Sequence, residues 1–471
     1  MSVTSEATPF SIVDYLVFSG MLAISTLTGI YHGFAKGGQH STTRYLLADK
    51  SMHFLPVAMS ILVSFMSPLS IMGTPAEVYT YGTGYTAFTL CYLWCLPLTA
   101  YIFIPVFMDL KLVSSYQYMD LRFNFYLRIL VSMIFMIQSV LYTAACLVGP
   151  ALAIEAVQDF EMWKTLIITG ALCTLYTTLG GMKGVIWTDV FQFFVIIITL
   201  VAVIILGVIE VGGFNEVFRV NGESRRYNHF NFDLDVTRRT GFFSGFIGGA
   251  FSISPLFISQ TAVQRYMTVR SLKHSQASVM INVPFALITG PCLYLCGMVL
   301  YAYYNGDLTG LQPSINGTLP TGMSPVAGAV GQYEPNYSSS DQILVYFISS
   351  KFGNIPGIQG LFVACLFAGT LSSVSSSLNA MTAITLEDFI KPYRAWKARR
   401  HGTTKYQNDQ RDTVMSKILT CVYGIAGIGL AFLASTLGSL LVLGFTVLGI
   451  TGAPILGTFG VGMMYKRANT T

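Results

Sequence analysis

Eleven apolar stretches, each near twenty residues or longer, run through this chain with short polar connections between them. An α-helix rises 1.5 Å per residue, so about 20 such residues cross the ~30 Å hydrocarbon layer of a bilayer. The stretches fall at 10–33, 53–80, 85–108, 125–154, 162–180, 185–211, 241–263, 275–304, 357–385, 413–435 and 438–465, and a short amphipathic helix is expected at 341–352. Only 10% of the 471 residues are charged, against about 25% in a soluble domain. The chain therefore reads as an all-α polytopic membrane protein whose surroundings are the lipid bilayer. A soluble enzyme is excluded. An intramembrane enzyme has no support, because the six histidines (32, 40, 53, 229, 274 and 401) all fall in loops or at span ends. The eight cysteines lie within apolar segments and read as packing residues, with no external disulfide implied.

Orientation follows the basic residues, which favour the cytoplasmic side. With the N-terminus outside, 20 of the 27 Lys and Arg residues face inward, seven of them between Lys391 and Arg411. Arg128, Lys183 and Arg265 are counted in that inner set. The stretch 386–412 is expected to be a basic cytoplasmic loop. The loop 305–340 then lies outside, and it holds two glycosylation sequons, at Asn316 and Asn336. An odd number of spans leaves the C-terminus inside. The net charge of +5 reads as cytoplasmic loops near anionic lipid and not as nucleic-acid binding. The N-terminus lacks a basic n-region and a small-residue cleavage site, so the first span is expected to be retained.

Two spans carry the same interruption, Ser67-Pro68-Leu69 and Ser254-Pro255-Leu256. Proline removes a backbone donor and crowds the preceding turn. One such proline reads as a kink. A pair at matching positions in two halves reads as two broken helices, the arrangement found around transporter binding sites built from repeats. A third feature is "GTLSSVSSSLN", Gly369–Asn379, with five serines in an otherwise apolar span. On a helix Ser372, Ser375, Ser376 and Asn379 share one face. Close helix packing accounts for most of these small residues. The adjacent pair Ser372-Ser373 widens the polar arc beyond a packing groove. Its hydroxyls, joined by carbonyls from the break at 63–68, are suited to a hard cation such as sodium.

The segments "GGMKGVIWTDVFQ" (180–192), "QTAVQRYMTVRSL" (260–272) and "GLFVACLFAGTLSSVSSSLNAMTAITLEDFIKPY" (360–393) resemble the sodium:solute symporter family. With "GTPAEVYTYG" (73–82) and "LYTAACLVGPAL" (141–152), the likeness is to the animal branch of monocarboxylate, multivitamin and iodide transporters, and it runs from about residue 10 to 465. The resemblance implies a LeuT-like core of five-plus-five inverted helices (53–211 and 241–465) after one extra helix (10–33), in a single transporter domain. It implies a coupling sodium held by carbonyls of Val63, Met66 and Gly369 and by hydroxyls of Ser372 and Ser373. Asp189 matches an acidic residue on the family's sodium exit route; its alternative is a helix N-terminal cap. The solute is expected mid-membrane, with Ser70, Tyr142, Val148, Ser252 and Ser254 as candidate contacts. A tyrosine of close relatives is Val148 here, and an arginine often found after "EVY" is Thr80, so the solute's identity stays open. Relatives also continue for two or more helices past Arg467.

The resulting expectation is sodium-coupled symport, by alternating access in the plasma membrane, of a monocarboxylate or a carboxylate-bearing vitamin. Another solute (an inorganic anion, or a neutral or cationic molecule) is one alternative. A non-transporting sensor that keeps the fold is another.

Overall fold

Two spans are broken, and the breaks organise the molecule. Helix Phe54–Phe65 and helix Pro68–Tyr81 meet at 55°, and the helical segment Ser244–Ile258 meets Gln260–Tyr266 at 54°. The computed structural model describes residues 9–34, 41–158, 160–228, 231–232, 234–235, 242–305, 340–401, 409–435, 440–465 and 467–469. Every regular element among these is helical. The sequons at Asn316 and Asn336 lie outside the described residues.

The first break follows from Pro68. Without an N–H, proline removes one helical hydrogen bond, suits the first position of a helix, and biases the preceding residue toward the extended region. Ser67 is extended, with ψ 163°, and Pro68 opens the next helix. The second break differs from expectation. Pro255 lies inside helix Gly249–Ile258, and the chain turns extended four residues later, at Ser259 (ψ 159°). A proline loses one helical bond without necessarily ending the helix. At Ser259 both the backbone N–H and the hydroxyl donate to the Leu256 carbonyl, at 3.3 and 2.6 Å. That closes the last turn locally and lets the chain leave. The shared Ser-Pro-Leu lettering therefore does not mark equivalent positions. The two broken spans are joined by a short parallel bridge between Met52 and Val269, in which Met52 N–H donates to the Thr268 carbonyl at 3.1 Å.

Among the described residues, eight helices are long and apolar enough to cross a bilayer, and the two bent pairs raise that to ten. One of the eight, Met162–Val211, has 50 residues. A straight helix of that length would reach ~75 Å, far beyond one crossing. It turns at Gly181, whose φ of 56° and ψ of −162° are open to glycine alone. A Cβ there would also lie 2.8 Å from the Tyr45 carbonyl oxygen. Gly181 divides the stretch into two spans, which gives the eleven expected. The segment Thr83–Asp109 crosses as a series of short helical pieces with a π-helical turn at Thr99–Phe103, next to Pro97 and Pro105.

Three further expectations need correction. Ile343–Phe352 is not an amphipathic surface helix: Ile343, Leu344, Val345, Phe347, Ile348, Ser349 and Phe352 are all buried. The 386–412 stretch is helical through Arg400, as the π-helical turn Thr385–Ile390 and helix Lys391–Arg400 prolong the preceding span. Two arginines counted in the inward-facing basic set are buried instead. Arg265 is 1% exposed and Arg128 is 7% exposed.

At the centre stands the serine-bearing helix Ile358–Ile384. All of its 27 residues except Ile358 and Leu361 are buried. It packs against Ile12–Phe34, Phe54–Phe65, Phe125–Val157, Met162–Val211 and Asp409–Ala434. Small side chains let those backbones approach, as is usual between helices in lipid. Its N-terminus is tied to the first helix, where the buried Asp14 carboxylate accepts the Gly360 N–H at 2.8 Å. Negative charge is favourable beside the free N–H groups of a helix start.

Candidate functional site

Helix Phe54–Phe65 ends beside the serine helix. The last carbonyls of any helix lack intrahelical donors. Here the Met66 N–H turns back to the Leu62 and Val63 carbonyls, at 3.0 and 3.1 Å. The Ser64 carbonyl is met instead by the Ser373 hydroxyl, which donates to it at 3.2 Å. The Ser64 hydroxyl lies 3.1 Å from that of Ser372 and 3.2 Å from that of Ser376. Gly369 allows the close approach: a Cβ on it would lie 2.7 Å from the Met66 carbonyl oxygen. Val63, Met66, Gly369, Ser372 and Ser373 thus gather at one crossing, every one of them buried. Ser375 and Ser377 donate to carbonyls of their own helix, those of Ser372 and Ser373, at 3.1 and 3.0 Å. Those hydroxyls are thereby satisfied within their own helix.

An ion pair adjoins this crossing. Arg265, near the end of the short helix after the second break, sends Nε to the Ser60 hydroxyl at 2.7 Å and Nη2 to the Ser64 hydroxyl at 2.5 Å. Nη2 also donates to the Ser376 hydroxyl and reaches Asp189 Oδ2 at 3.2 Å. Asp189 Oδ2 accepts the Ser60 hydroxyl at 2.5 Å, while its Oδ1 is buried without a hydrogen-bond partner. Asp189 is not an N-terminal cap. It sits two turns beyond Gly181, fully buried within the helix. A buried carboxylate needs a partner of opposite charge, and Arg265 supplies it.

Beside the first break lies a cavity of about 120 Å³. One water needs ~10–15 Å³ on that measure, so the space suits a small solute. Ser67, Ser70, Thr74, Thr89, Tyr142, Asn282, Thr289 and Tyr294 bring polar atoms to a wall otherwise made of apolar and aromatic side chains, and none of the lining residues is charged. The Thr89 and Tyr294 hydroxyls bond each other at 2.5 Å. A smaller cavity of about 30 Å³ shares Phe65, Tyr142, Leu256 and Leu448 with the first, and it reaches Ser64, Ser373 and Ser377. The serine crossing and the solute-sized space are therefore neighbours across one layer of side chains.

Of the solute-contact candidates, Ser70 and Tyr142 line the larger cavity; Val148, Ser252 and Ser254 do not. Val148 is 1% exposed within the core. Ser254 faces the neighbouring span, its hydroxyl 3.1 Å from Cys95 Sγ. Because the second break falls at Ser259 and not at Pro255, Ser252 and Ser254 stay in regular helix and do not open onto the cavity. Ser60, Ser64, Arg265, Thr89, Asn282 and Tyr294 were not anticipated. Ser60 and Ser64 carried a usable signal, being four apart on one face of an apolar helix. Arg265 did not, since a basic residue near a span end reads equally as a loop residue.

Two bent spans crossing a buried polar helix, beside an uncharged cavity, define a secondary transporter of the broken-helix type. The model of the sodium:solute symporter family matches residues 45–471, and the chain belongs to that family. Sodium-coupled monocarboxylate transporter 1 of Mus musculus is 36% identical over 471 residues, covering 100% of this chain and 72% of the mouse protein. The sodium-dependent multivitamin transporter of Oryctolagus cuniculus is 36% identical over 461 residues, covering 98% of this chain and 68% of the rabbit protein. The solved structure of a Na+-coupled sialic acid symporter, in a substrate-bound outward-open state, aligns with a TM-score of 0.82 and 25% identity, covering 98% of this chain and 88% of that one. The protein is thus a multi-pass membrane symporter of LeuT-like fold that couples solute movement to sodium.

Proposed function

We propose that this chain carries a short monocarboxylate together with sodium by alternating access. The observation that carries the reading is the small uncharged cavity at the start of helix Pro68–Tyr81. A helix start presents unpaired N–H groups and a positive dipole end, which favour a carboxylate. Pro68 has no N–H, and the Ser70 and Ile71 N–H groups donate to the Ser67 carbonyl at 3.0 and 3.1 Å, so it is the positive dipole end, with the Ser67 side chain making no cap bond, that favours a carboxylate there. The cavity volume suits a solute of a few carbons better than a larger vitamin. The named monocarboxylate and multivitamin relatives point to the same chemical class.

Sodium is bound at the neighbouring crossing, by the Val63, Met66 and Gly369 carbonyls and the Ser372 and Ser373 hydroxyls. The crowding of Gly369 against the Met66 carbonyl and of Ser373 against the Ser64 carbonyl supports that set. Oxygen ligands must close to about 2.3–2.6 Å around a hard cation of this size. Asp189 receives the ion on its way out. The repeats span 53–211 and 241–465. The N-terminus faces outward in the plasma membrane, and Asn316 and Asn336 carry glycans.

A potential of about 60 mV contributes ~1.4 kcal/mol per net charge, and a tenfold sodium gradient adds ~1.4 kcal/mol per ion. A monoanion moving with one sodium carries no net charge and is concentrated only about tenfold. With two sodiums both terms act. Uptake of short monocarboxylates, a vitamin such as biotin, and halides into vesicles, with sodium or potassium outside, tests the proposal. Sodium-dependent uptake of a short monocarboxylate, abolished in Ser372→Ala/Ser373→Ala, is expected. Uptake that is equal in potassium would refute symport.

A further inference from the structure

Among the described residues Arg265 is the largest of the fully buried side chains, and nothing in the transport cycle above uses it. Its guanidinium donates to hydroxyls of Ser60 and Ser64 on the first broken span and to Ser376 on the central helix. It also pairs with Asp189 on the span after Gly181. Arg265 itself belongs to the short helix after the second break, where Nη1 donates to the Thr261 carbonyl at 2.7 Å. One cation therefore pins both broken spans to the central helix.

The cation sits one hydroxyl away from the serine pair. Ser64 Oγ accepts from Arg265 at 2.5 Å and lies 3.1 Å from Ser372 Oγ. An ion held by Ser372 would be within roughly 7 Å of the guanidinium. Two positive charges at that separation, at an effective dielectric near 20, repel, and with the Asp189 carboxylate offsetting part of the repulsion the effect on a binding constant is up to roughly tenfold. The Ser64 and Ser376 hydroxyls are meanwhile occupied as acceptors by the guanidinium.

There is also somewhere for the guanidinium to go. Asp189 engages it through Oδ2 alone, and the buried Oδ1 has no partner. A shift toward Asp189 would complete a two-pronged carboxylate–guanidinium pair, the stronger geometry for these groups.

We infer that Arg265 is a tethered cation whose hold on the Ser64 and Ser376 hydroxyls opposes sodium at the serine crossing, and that sodium binding displaces it onto Asp189. The two cations exclude one another at the serine crossing. Sodium entry thereby unpins the second broken span from the first; as sodium leaves by way of Asp189 it takes the carboxylate from the guanidinium, which returns to the serines and pins the spans again. This rests on the sodium reading above.

The test uses Ser376→Ala, which removes one hydroxyl that holds the guanidinium and none of the proposed sodium ligands. Sodium binding is measured on the purified full chain with radiolabelled sodium, beside Ser372→Ala/Ser373→Ala. The inference predicts that Ser376→Ala tightens sodium binding about two- to fivefold, while the double variant weakens it at least tenfold. A merely structural role for Ser376 would weaken binding or leave it unchanged, and either result overturns the inference. Unchanged binding in the double variant would instead overturn the sodium site itself. Arg265→Lys, which cannot span Ser60, Ser64 and Ser376 together, is expected to tighten sodium binding as well. Should Arg265→Lys fail to reach the membrane, the Ser376→Ala result decides alone.

Discussion

Gly369→Ala isolates the contact between the first break and the central helix. An added Cβ would lie 2.7 Å from the Met66 carbonyl oxygen, 3.3 Å from Ile71 Cδ1 and 3.4 Å from Pro68 N. The first contact is about 0.7 Å inside the ordinary range, which begins near 3.4 Å. Its partner is backbone, fixed by the proline that follows, and cannot rotate away. The break must retreat from the serine helix by several tenths of an ångström. A sodium ligand shell has a tolerance of only about 0.3 Å, so the Met66 carbonyl leaves the shell. A hydrogen bond to a charged group contributes about 1.5–3 kcal/mol, and one lost ion–carbonyl contact of similar worth raises the sodium concentration for half-maximal uptake roughly tenfold or more. The assay is sodium titration of uptake at saturating solute, normalised to protein at the cell surface. A half-maximal sodium concentration within twofold of the parent, at normal surface abundance, would refute the placement of Met66 and Gly369 in the sodium shell.

Three other outcomes are expected. Asp388→Asn weakens the 2.7 Å pair between Arg128 Nη2 and Asp388 Oδ1 and the bonds from the Ser114 and Ser132 hydroxyls to Oδ2, leaving Arg128 only the half-exposed Asp120 carboxylate at 3.1 Å; breaking a buried pair costs about 3–5 kcal/mol, an upper bound here because Asp120 remains, and it is read as a fall in melting temperature in detergent. Thr89→Ala removes the hydroxyl bonded to Tyr294 in the cavity wall and is expected to raise the solute KM about three- to tenfold with little change in sodium dependence. Asp14→Ala strips the buried acceptor from the Gly360 N–H and should cost about 1–2 kcal/mol of stability, with sodium dependence retained in the surviving protein.

Much of this architecture was legible in the residue order because lipid allows so few solutions. A spanning segment must satisfy its own backbone, so long apolar runs become helices. The first break was also legible, since Pro68 removes a helical hydrogen bond and biases Ser67 toward the extended backbone. The serine pair Ser372-Ser373 stood out because two hydroxyls side by side exceed what a packing groove needs. The second break was misplaced because a proline interrupts one bond, whereas the actual turn at Ser259 depends on a side-chain hydroxyl reaching the Leu256 carbonyl. Ser252 and Ser254 were lost from the site for the same reason.

Arg265 marks the limit most clearly. Along the chain it is one basic residue near a span end, and the charge rule that orients membrane proteins counts it with the loops. In the folded molecule it is enclosed by Ser60, Ser64 and Ser376 and paired with Asp189, residues up to 205 positions distant. Hydropathy, helix ends and proline breaks are local properties, set by a residue and its near neighbours, and the order of residues is enough to establish them. Which hydroxyl meets which carbonyl, and which carboxylate receives a buried guanidinium, depends on how separate helices cross. The cost of leaving a buried charge unpaired becomes a constraint only once those helices are packed together.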